Sequence, residues 1–297
     1  MRRPSRGVRA LAVTAAVATF VLLTAGGFVT SLDAGLVYRG WPLSDGSINP
    51  DGWTRDPDKL SEHGHRLLGA LVGLLTIALA VLLHRREPRR FVRVLAWIAV
   101  PFVCLQGLLG GLRVTEQSTE LAMLHGCSGM LFLCVMAALA YLQSDDALGD
   151  CEPGPDTRPL ALAATGAFFA IFMQVVLGAR LRHVGGPPNN HVLGAVVVAG
   201  MVLWLLATTL VRHGGRRALV RPALLLGALV LVQAGLGIVA ADALRTYQPY
   251  EPTPVQVLLA SAHQVVGALV LVTSLVIALR AVRRADWTGH AVGEAAA

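Results

Sequence analysis

The sequence predicts an all-α integral membrane protein with eight transmembrane helices. Of its 297 residues, 55% are apolar and only 14% are charged, whereas an average soluble domain is about 25% charged. The mean hydropathy is +0.61, and eight stretches approach the roughly 20 apolar residues that a helix needs to cross the hydrocarbon core. These properties exclude a soluble two-domain protein, a disordered chain, a disulfide scaffold and a nucleic-acid-binding protein.

The eight predicted spans follow one another along the whole chain. In order they are Ala10–Val29, Leu67–Leu83, Val94–Leu112, Leu121–Leu142, Leu160–Ala179, His191–Val211, Ala223–Ala241 and Val255–Leu279. The first span follows four arginines, as the core of a signal peptide would. Its apolar run is longer than the typical core of about 7–15 residues, and no convincing small-residue cleavage site follows. We therefore expect it to remain as a span.

The distribution of basic residues predicts that both termini are cytoplasmic. With the N-terminus inside, 17 of the 25 Lys and Arg residues lie on the inner face, as the positive-inside rule requires. The inner loop between the fourth and fifth spans is acidic, but acidic residues count little in that rule. The net charge of +7 is therefore expected mainly at the inner surface, where anionic lipid headgroups lie.

Short repeated motifs divide the chain into two related halves. The pattern Gln-x-x-Leu-Gly occurs near the predicted outer ends of the third, fifth and seventh spans, at Gln106–Gly110, Gln174–Gly178 and Gln233–Gly237. Each copy is followed by an outer loop and then by a histidine early in the next span, and a fourth histidine opens the second span. These histidines are His65, His125, His191 and His263. We therefore predict two tandem four-helix bundles, residues 1–150 and 151–297, with two histidines in each.

The remaining histidines and the cysteines are expected to have no special role. Five histidines are interpreted as solvated or interfacial: His63, His84, His183, His213 and His290. His63 is two residues from His65, so it faces another side of the helix. The four cysteines are Cys104, Cys127, Cys134 and Cys151. We expect no outer-loop disulfide among them, and we interpret them as small apolar residues.

The four repeated histidines predict a pair of haem sites. Polar side chains in a span are costly and face the bundle interior, and two imidazoles facing across a four-helix bundle suit axial ligation of haem iron. A glycine three or four residues after each histidine lies one turn away on the same face, where it would leave room for the macrocycle. Five arginines at the predicted outer end are candidates for the propionates: Arg66, Arg113, Arg180, Arg182 and Arg245.

Other metal centres fit this pattern less well. A closed zinc site needs four ligands together, whereas these histidines come as two pairs in separate halves. A di-iron carboxylate centre needs two Glu-x-x-His motifs, and the chain has one, Glu62-His63-Gly64-His65.

The single acid also distinguishes the two pairs, because Pro188 and Ala260 stand where Glu62 would be expected in the second half. An acid at one pair alone favours a catalytic haem beside a cofactor haem, since a carboxylate can move protons or stabilise positive charge. The alternative is that Glu62 only stabilises the start of the helix.

The ordered motifs resemble the heme A synthases of the CtaA type, which are eight-span membrane enzymes built from two four-helix halves. The resemblance extends from Thr30 to about Leu279. The matching motifs are Asp33-Ala-Gly-Leu36, Trp41-Pro42, Glu62-His-Gly-His-Arg-Leu-Leu-Gly69, Gly110-Gly-Leu-Arg-Val114, Leu124-His-Gly126, Pro188-Asn-Asn-His191 and Ser261-Ala-His263.

The resemblance implies an oxidoreductase that converts a ring methyl group of haem O, through an alcohol and a hydrated aldehyde, to the formyl group of haem A for a-type terminal oxidases. His65 and His125 would hold the iron of the substrate haem O, with Glu62 at the catalytic site. His191 and His263 would bind the iron of a haem b cofactor. The implied partner is haem O synthase, a protohaem farnesyltransferase; the electron acceptor and homo-oligomerisation stay open. The implied location is the plasma membrane, with the haem sites toward the outer face.

Two features depart from the family pattern. Many bacterial relatives carry a cysteine pair in the first outer loop, whereas residues 30–62 and 180–190 contain no cysteine. The stretch Tyr38-Arg39-Gly40 also replaces the usual Pro-Asp before Trp41.

Two other functions remain open. One is a dihaem bis-histidine cytochrome b that carries electrons. The other is a haem or small-molecule transporter, which is weaker because permanent axial ligands oppose release and the halves show no inverted topology.

Overall fold

A computed structural model describes residues 6–149, 157–246 and 251–285 of the chain. Within these residues the long helices are α1 (Arg6–Ser31), α2 (Pro57–Arg86), α3 (Arg90–Thr115), α4 (Thr119–Leu142), α6 (Thr157–His183), α7 (Asn189–His213), α8 (Arg217–Ala243) and α9 (Pro254–Arg284). A short helix, α5 (Asp145–Leu148), follows α4, and a 3₁₀ turn (Leu244–Thr246) follows α8. The described residues contain no β-strand, and the predicted all-α class is confirmed.

All eight long helices are long and apolar enough to cross a membrane, so the eight predicted spans are confirmed. The helices extend beyond the predicted apolar stretches because polar residues cap their ends. The Asp56 side chain accepts hydrogen bonds from the backbone N–H groups of Asp58 and Lys59 and starts α2, as a good N-cap does. Thr253 and Gln256 form a capping box that starts α9.

The long helices pack as two rings of four. In the first ring α1 contacts α2, α2 contacts α3, α3 contacts α4 and α4 contacts α1; helices α6 to α9 repeat this order. The rings meet through α1, α4, α6 and α9. Exchanging α1 with α6 and α4 with α9 leaves this set of contacts unchanged. The division into two domains and the cytoplasmic termini remain predictions.

Two apolar cores stabilise the rings. One lies among α1 to α4 and includes Val72 and Leu79, and the other lies among α6 to α9. Met130, Leu133 and Cys134 of α4 belong to the second core. Helix α4 therefore contributes to both cores and connects the two rings.

Ion pairs join the two rings at the predicted inner end. The Asp146 carboxylate accepts hydrogen bonds from Arg280 at 2.9 Å and Arg284 at 2.8 Å, both in α9, and from the Tyr141 hydroxyl at 3.0 Å. Burial alone would raise the pKa of Asp146, but the hydrogen bonds from Arg284 and Tyr141 hold this pKa below its ordinary value. The inner loop between the fourth and fifth predicted spans is acidic where the other inner loops are basic. One of its acids, Asp146, thus forms ion pairs with the basic end of α9.

Candidate functional site

The structure brings the four repeated histidines together as two pairs. His65 of α2 faces His125 of α4 with ring centroids 6.5 Å apart, and His191 of α7 faces His263 of α9 with centroids 6.3 Å apart. Metal–imidazole bonds of about 2 Å on opposite sides of one ion would place the two centroids about 6 Å apart. Each pair therefore has the spacing of two axial ligands of a single iron.

Each of the four imidazoles lies against a glycine of the preceding helix. The distances from the position of an added β-carbon to the histidine Cε1 are 2.9 Å for Gly26 and His65, 3.2 Å for Gly110 and His125, 2.9 Å for Gly178 and His191, and 3.0 Å for Gly237 and His263. A side chain at any of these positions would press on the ring, so glycine is what allows the close approach. We call these four residues the cradle glycines.

One cradle glycine was missed in the sequence. Three of them end the Gln-x-x-Leu-Gly motif, whereas Gly26 stands in a fourth copy whose glutamine is replaced by Leu22 and whose leucine is replaced by Ala25. A single glycine in an apolar helix is too weak a signal to identify a repeat. The conserved element of the duplication is therefore the contact between glycine and histidine on neighbouring helices.

The glycines that follow the histidines were predicted to leave room for the macrocycle, and at three of the four positions a protein side chain lies there instead. The atoms nearest to an added β-carbon are Gln174 Oε1 at Gly194 (2.2 Å), Gln233 Nε2 at Gly267 (3.2 Å) and Leu23 Cδ2 at Gly129 (3.2 Å). These glycines make room for side chains of neighbouring helices, from α6, α8 and α1 respectively, rather than for a macrocycle. Gly69 differs, because an added β-carbon there would have no neighbour within 4 Å.

A buried acid lies at the first pair. Glu62 is only 4% exposed; its Oε1 is paired with the Arg66 guanidinium, and its Oε2 accepts a hydrogen bond of 2.9 Å from the backbone N–H of Tyr38. Glu62 stands three residues before His65, hence on the same helix face. Arg113 of α3 interacts electrostatically with both Glu62 and His65. The carboxylate is therefore held in one position by donors on two sides.

The first outer loop, residues 32–56, is anchored beside this pair by two arginines. Arg66 donates to the carbonyl oxygens of Gly40 at 2.7 Å and Tyr38 at 3.1 Å. Arg113 donates to the carbonyl oxygen of Gly35 at 2.9 Å. Tyr38 is buried in this loop, and burial raises the pKa of its hydroxyl. Two arginines proposed for propionates thus also hold the outer loop.

Trp41 of the same loop packs on α3 next to the first pair. A β-carbon at Gly111 would come within 2.4 Å of the Trp41 ring, and the adjacent Gly110 is the cradle glycine of His125. The two consecutive glycines of α3 therefore receive two different rings. Motifs that carry the family resemblance in the loop and in α3 are in direct contact.

Two histidines that were expected to be solvated or interfacial are buried. His63 is 4% exposed, its Nδ1 lies 2.9 Å from the Ser44 hydroxyl, and its ring packs edge-on against Trp53 with centroids 4.7 Å apart. It therefore joins the outer loop to α2. His213, near the predicted inner end, is 5% exposed. Helix periodicity could not show that a loop covers the His63 face.

The remaining histidines and the cysteines lie at separate places in the structure. His183 is the last residue of α6, and its Nε2 would lie 4.0 Å from a β-carbon at Gly126, so the second half contributes it to the surroundings of the first pair. His84 is exposed and accepts a hydrogen bond of 3.3 Å from Trp97. Cys127 and Cys134 are buried, Cys104 is exposed, and these three cysteines are unpaired. Cys151 and His290 lie outside the described residues.

A glutamine contacts each imidazole of the second pair. Gln174 Nε2 lies 3.0 Å from His191 Nδ1 and donates to the His191 carbonyl oxygen at 2.8 Å. Gln233 Nε2 lies 3.1 Å from His263 Nε2. In the first pair the corresponding Gln106 instead donates to the Ser128 hydroxyl at 2.8 Å.

Polar contacts also link the halves beside the second pair. The Ser31 hydroxyl of α1 accepts hydrogen bonds of 2.9 Å from Arg182 of α6 and from the Ser261 hydroxyl of α9. Arg182 also interacts electrostatically with His263. The second pair is therefore connected to the first half through hydrogen bonds.

The two pairs fit a haem better than a bare metal ion. Among residues 6–149, 157–246 and 251–285, no three His, Cys, Asp or Glu side chains are grouped to hold an ion, whereas a haem iron needs only axial ligands from the protein. The rings of His65, His125 and His263 each interact with a backbone group of the preceding helix, at Leu22, Gln106 and Gln233 respectively. The ring spacing and the cradle glycines agree with axial ligation.

Fold and site together define a multi-pass membrane protein with two bis-histidine pairs. Residues 56–186 match the family described as cytochrome oxidase assembly protein, COX15-CtaA. The resemblance to the CtaA-type family found in the sequence is confirmed over these residues, which make up less than half of the chain.

Several relatives share this similarity. Heme A synthase of Symbiobacterium thermophilum is 32% identical over 189 residues, which cover 60% of this chain and 61% of that protein. Heme A synthase of Halalkalibacterium halodurans is 26% identical over 265 residues, covering 78% of this chain and 86% of that protein. Protoheme IX farnesyltransferase of Haloarcula marismortui is 32% identical over 157 residues, covering 52% of this chain and 33% of that protein. The chain thus spans 61% of the length of the first of these relatives.

Proposed function

We propose that this protein is a heme A synthase, which oxidises a ring methyl group of haem O to the formyl group of haem A. The observation that carries the proposal is the asymmetry between the two histidine pairs. Both pairs have the spacing of axial ligands, but among the residues that the structure describes only the first pair has a buried acid one turn from a histidine. The similarity to proteins named heme A synthase supports the same reaction.

Each pair has a separate task in this proposal. His65 and His125 hold the iron of haem O as substrate, and His191 and His263 hold haem b as a resident cofactor. When bound, haem b supplies a one-electron redox centre beside the substrate site. The imidazoles, packed on the cradle glycines, would hold each haem, and the first outer loop, held by Arg66 and Arg113, would lie next to the substrate.

Glu62 acts in this proposal on the charge that develops during the reaction. Conversion of a methyl group to a formyl group removes four electrons and four protons and adds one oxygen atom from water. A carboxylate held by Arg66 and by the Tyr38 N–H can stabilise positive charge at the methyl carbon without moving. Proton transfer is the second possible role, and it requires Glu62 to exchange one of these hydrogen bonds.

The substrate and the location follow from the same proposal. Haem O comes from a protohaem farnesyltransferase reaction, and the similarity of this chain to a third of a protein named protoheme IX farnesyltransferase supports a functional link between the two steps. We place the protein in the plasma membrane with both haem sites toward the outer face, because most of its basic residues lie at the opposite end.

The experiment is haem extraction from membranes that contain this protein together with a source of haem O and no other heme A synthase. We expect the natural protein to form haem A, and we expect the Glu62→Ala variant to retain haem b while haem A disappears. Glu120→Ala is the matched control, since Glu120 is an exposed acid in the first turn of α4, and it should form haem A normally. Normal haem A formation by Glu62→Ala would contradict the role of Glu62.

A dihaem electron-carrying cytochrome b is the second candidate. It is favoured by one observation, the near-identical ring spacing of the two pairs. It predicts two haem b groups per chain and no dependence on haem O. Extraction of the pigment with acid acetone, followed by chromatography, separates the two candidates.

A further inference from the structure

The glutamines of the repeated motif have different partners in the two halves. In the second half, Gln174 and Gln233 each place an amide nitrogen within 3.1 Å of a ring nitrogen of the second pair. In the first half, Gln106 is bonded to Ser128, and Leu22 occupies the fourth glutamine position. Glutamine side chains thus touch both rings of the second pair, whereas in the described part of the chain Gln106 interacts with the His125 ring through its backbone and its side chain is bonded to Ser128.

The contacts at the second pair leave the side-chain oxygen of each glutamine without a hydrogen-bond donor from the described part of the chain. Oε1 of Gln174 and Oε1 of Gln233 are buried and have no hydrogen-bond partner among the described residues. A neutral imidazole that binds a metal through one nitrogen carries a proton on the other. A half-turn of a side-chain amide exchanges its nitrogen and oxygen, and the ring N–H can then donate to the glutamine oxygen. For Gln174 this bond replaces the one from its Nε2 to the His191 carbonyl oxygen.

The glycines that follow the second pair of histidines make these contacts possible. A β-carbon at Gly194 would lie 2.2 Å from Gln174 Oε1, and a β-carbon at Gly267 would lie 3.2 Å from Gln233 Nε2. Each glutamine therefore lies across the backbone of the helix that carries its histidine. The contact between glutamine and imidazole requires two residues at once, a glycine on one helix and a glutamine on the neighbouring helix. Neither residue alone produces it.

We propose that Gln174 and Gln233 are positioning residues for the haem at the second pair: they set the orientation of the His191 and His263 rings and tune the bound iron. The proposal rests on the haem-binding function proposed above. Groups that hydrogen-bond to a metal-binding histidine fix its ring and raise its basicity, and their loss commonly weakens metal binding by about 10- to 100-fold. Glutamines at the second pair alone would make that site the permanent one and leave the first able to release its haem as product.

The test is a titration of the purified full-length protein with haemin, carried out in a His125→Ala background so that only the second pair binds it. We expect Gln174→Leu and Gln233→Leu to raise the Kd for haemin about tenfold, to shift the midpoint potential and to change the low-spin electron paramagnetic resonance spectrum. Gly194→Ala, which crowds Gln174 without removing it, should shift the same readouts. Gln174→Glu keeps an acceptor oxygen and should restore tight binding.

Gln106→Leu is the matched control, because it removes the same side chain from the same motif at a position where that side chain is bonded to Ser128 and only the backbone interacts with a histidine ring. If Gln174→Leu and Gln233→Leu give the Kd, potential and spectrum of Gln106→Leu, the glutamines are not positioning residues. If the His125→Ala background binds no haemin at all, the proposed haem function itself is wrong. Elution of each variant at the volume of the parent protein in size-exclusion chromatography shows that the comparison concerns folded protein.

Discussion

The first and second halves of this protein hold their histidines in the same way but surround them differently. In both halves two imidazole rings face each other with centroids 6.3–6.5 Å apart, and each imidazole packs on a cradle glycine. Around the first pair lie a buried carboxylate, two arginines and an anchored outer loop. Around the second pair lie two glutamines.

This difference shows where a duplicated bundle can change its chemistry. The contact between glycine and histidine fixes the position of an imidazole ring and is present four times. The residues that surround each histidine pair would determine the chemistry of a bound group, because they set the local charge, the access to the site and the orientation of the imidazole rings. In the proposed function, a substrate site and a cofactor site would therefore have the same arrangement of helices, histidines and glycines.

Removing a ligand of the second pair should have the largest effect. We expect His191→Ala and His263→Ala each to abolish haem b binding, since one of the two axial ligands is lost, and to abolish haem A formation as a consequence. The visible spectrum of the purified protein checks this. An unchanged absorption spectrum in the double variant would show that the second pair is not a haem site.

The cradle glycines should have the next largest effect. Gly237→Ala places a β-carbon 3.0 Å from His263 Cε1, so the ring must move and the haem b content should fall severalfold. Gly235→Ala is the matched control on the same helix, because an added β-carbon there has no neighbour within 4 Å, and alanine favours a helix. Equal haem b content in both variants would contradict the proposed function of the glycine.

Loosening the outer loop should affect the first site alone. We expect Arg66→Met to release the carbonyl groups of Tyr38 and Gly40 and to slow haem A formation by about 10- to 100-fold through misplacement of Glu62, while haem b content is unchanged. Limited proteolysis of residues 39–56 should become faster. Val192→Met changes the corresponding position of the second half, which is 57% exposed, and should change neither readout.

The inner ion pairs should have the smallest effect, and it should be one on stability. Because the pKa of Asp146 is lowered in the folded protein, its ion pairs stabilise the fold above the ordinary carboxyl pKa of about 4 and lose this effect as the pH falls below it. We expect Asp146→Asn to lower the free energy of unfolding by about 1–3 kcal/mol, measured by thermal unfolding in detergent at pH 7. Asp242→Asn removes an exposed ion pair and should have little effect; an equal loss in both variants would contradict this account.

The sequence was sufficient to predict the eight spans and to identify the four histidines that the structure brings together as pairs, but not the surroundings of these histidines. Hydropathy identified all eight spans because the apolar length needed to cross a bilayer is a local property, and repetition identified the four histidines. Gly26 was missed because its copy of the motif has lost the glutamine. The burial of His63 and the contacts of Arg66 depend on how a long loop folds back on two helices, which local patterns do not encode.

The most direct measurement is the haem content of the purified natural protein and of a His65→Ala, His125→Ala double variant, both produced with a supply of haem O. The account predicts one haem b per chain in both proteins, with haem O or haem A bound in addition only to the natural protein. Two haem b groups in the natural protein, falling to one in the double variant, would contradict the division into a substrate site and a cofactor site.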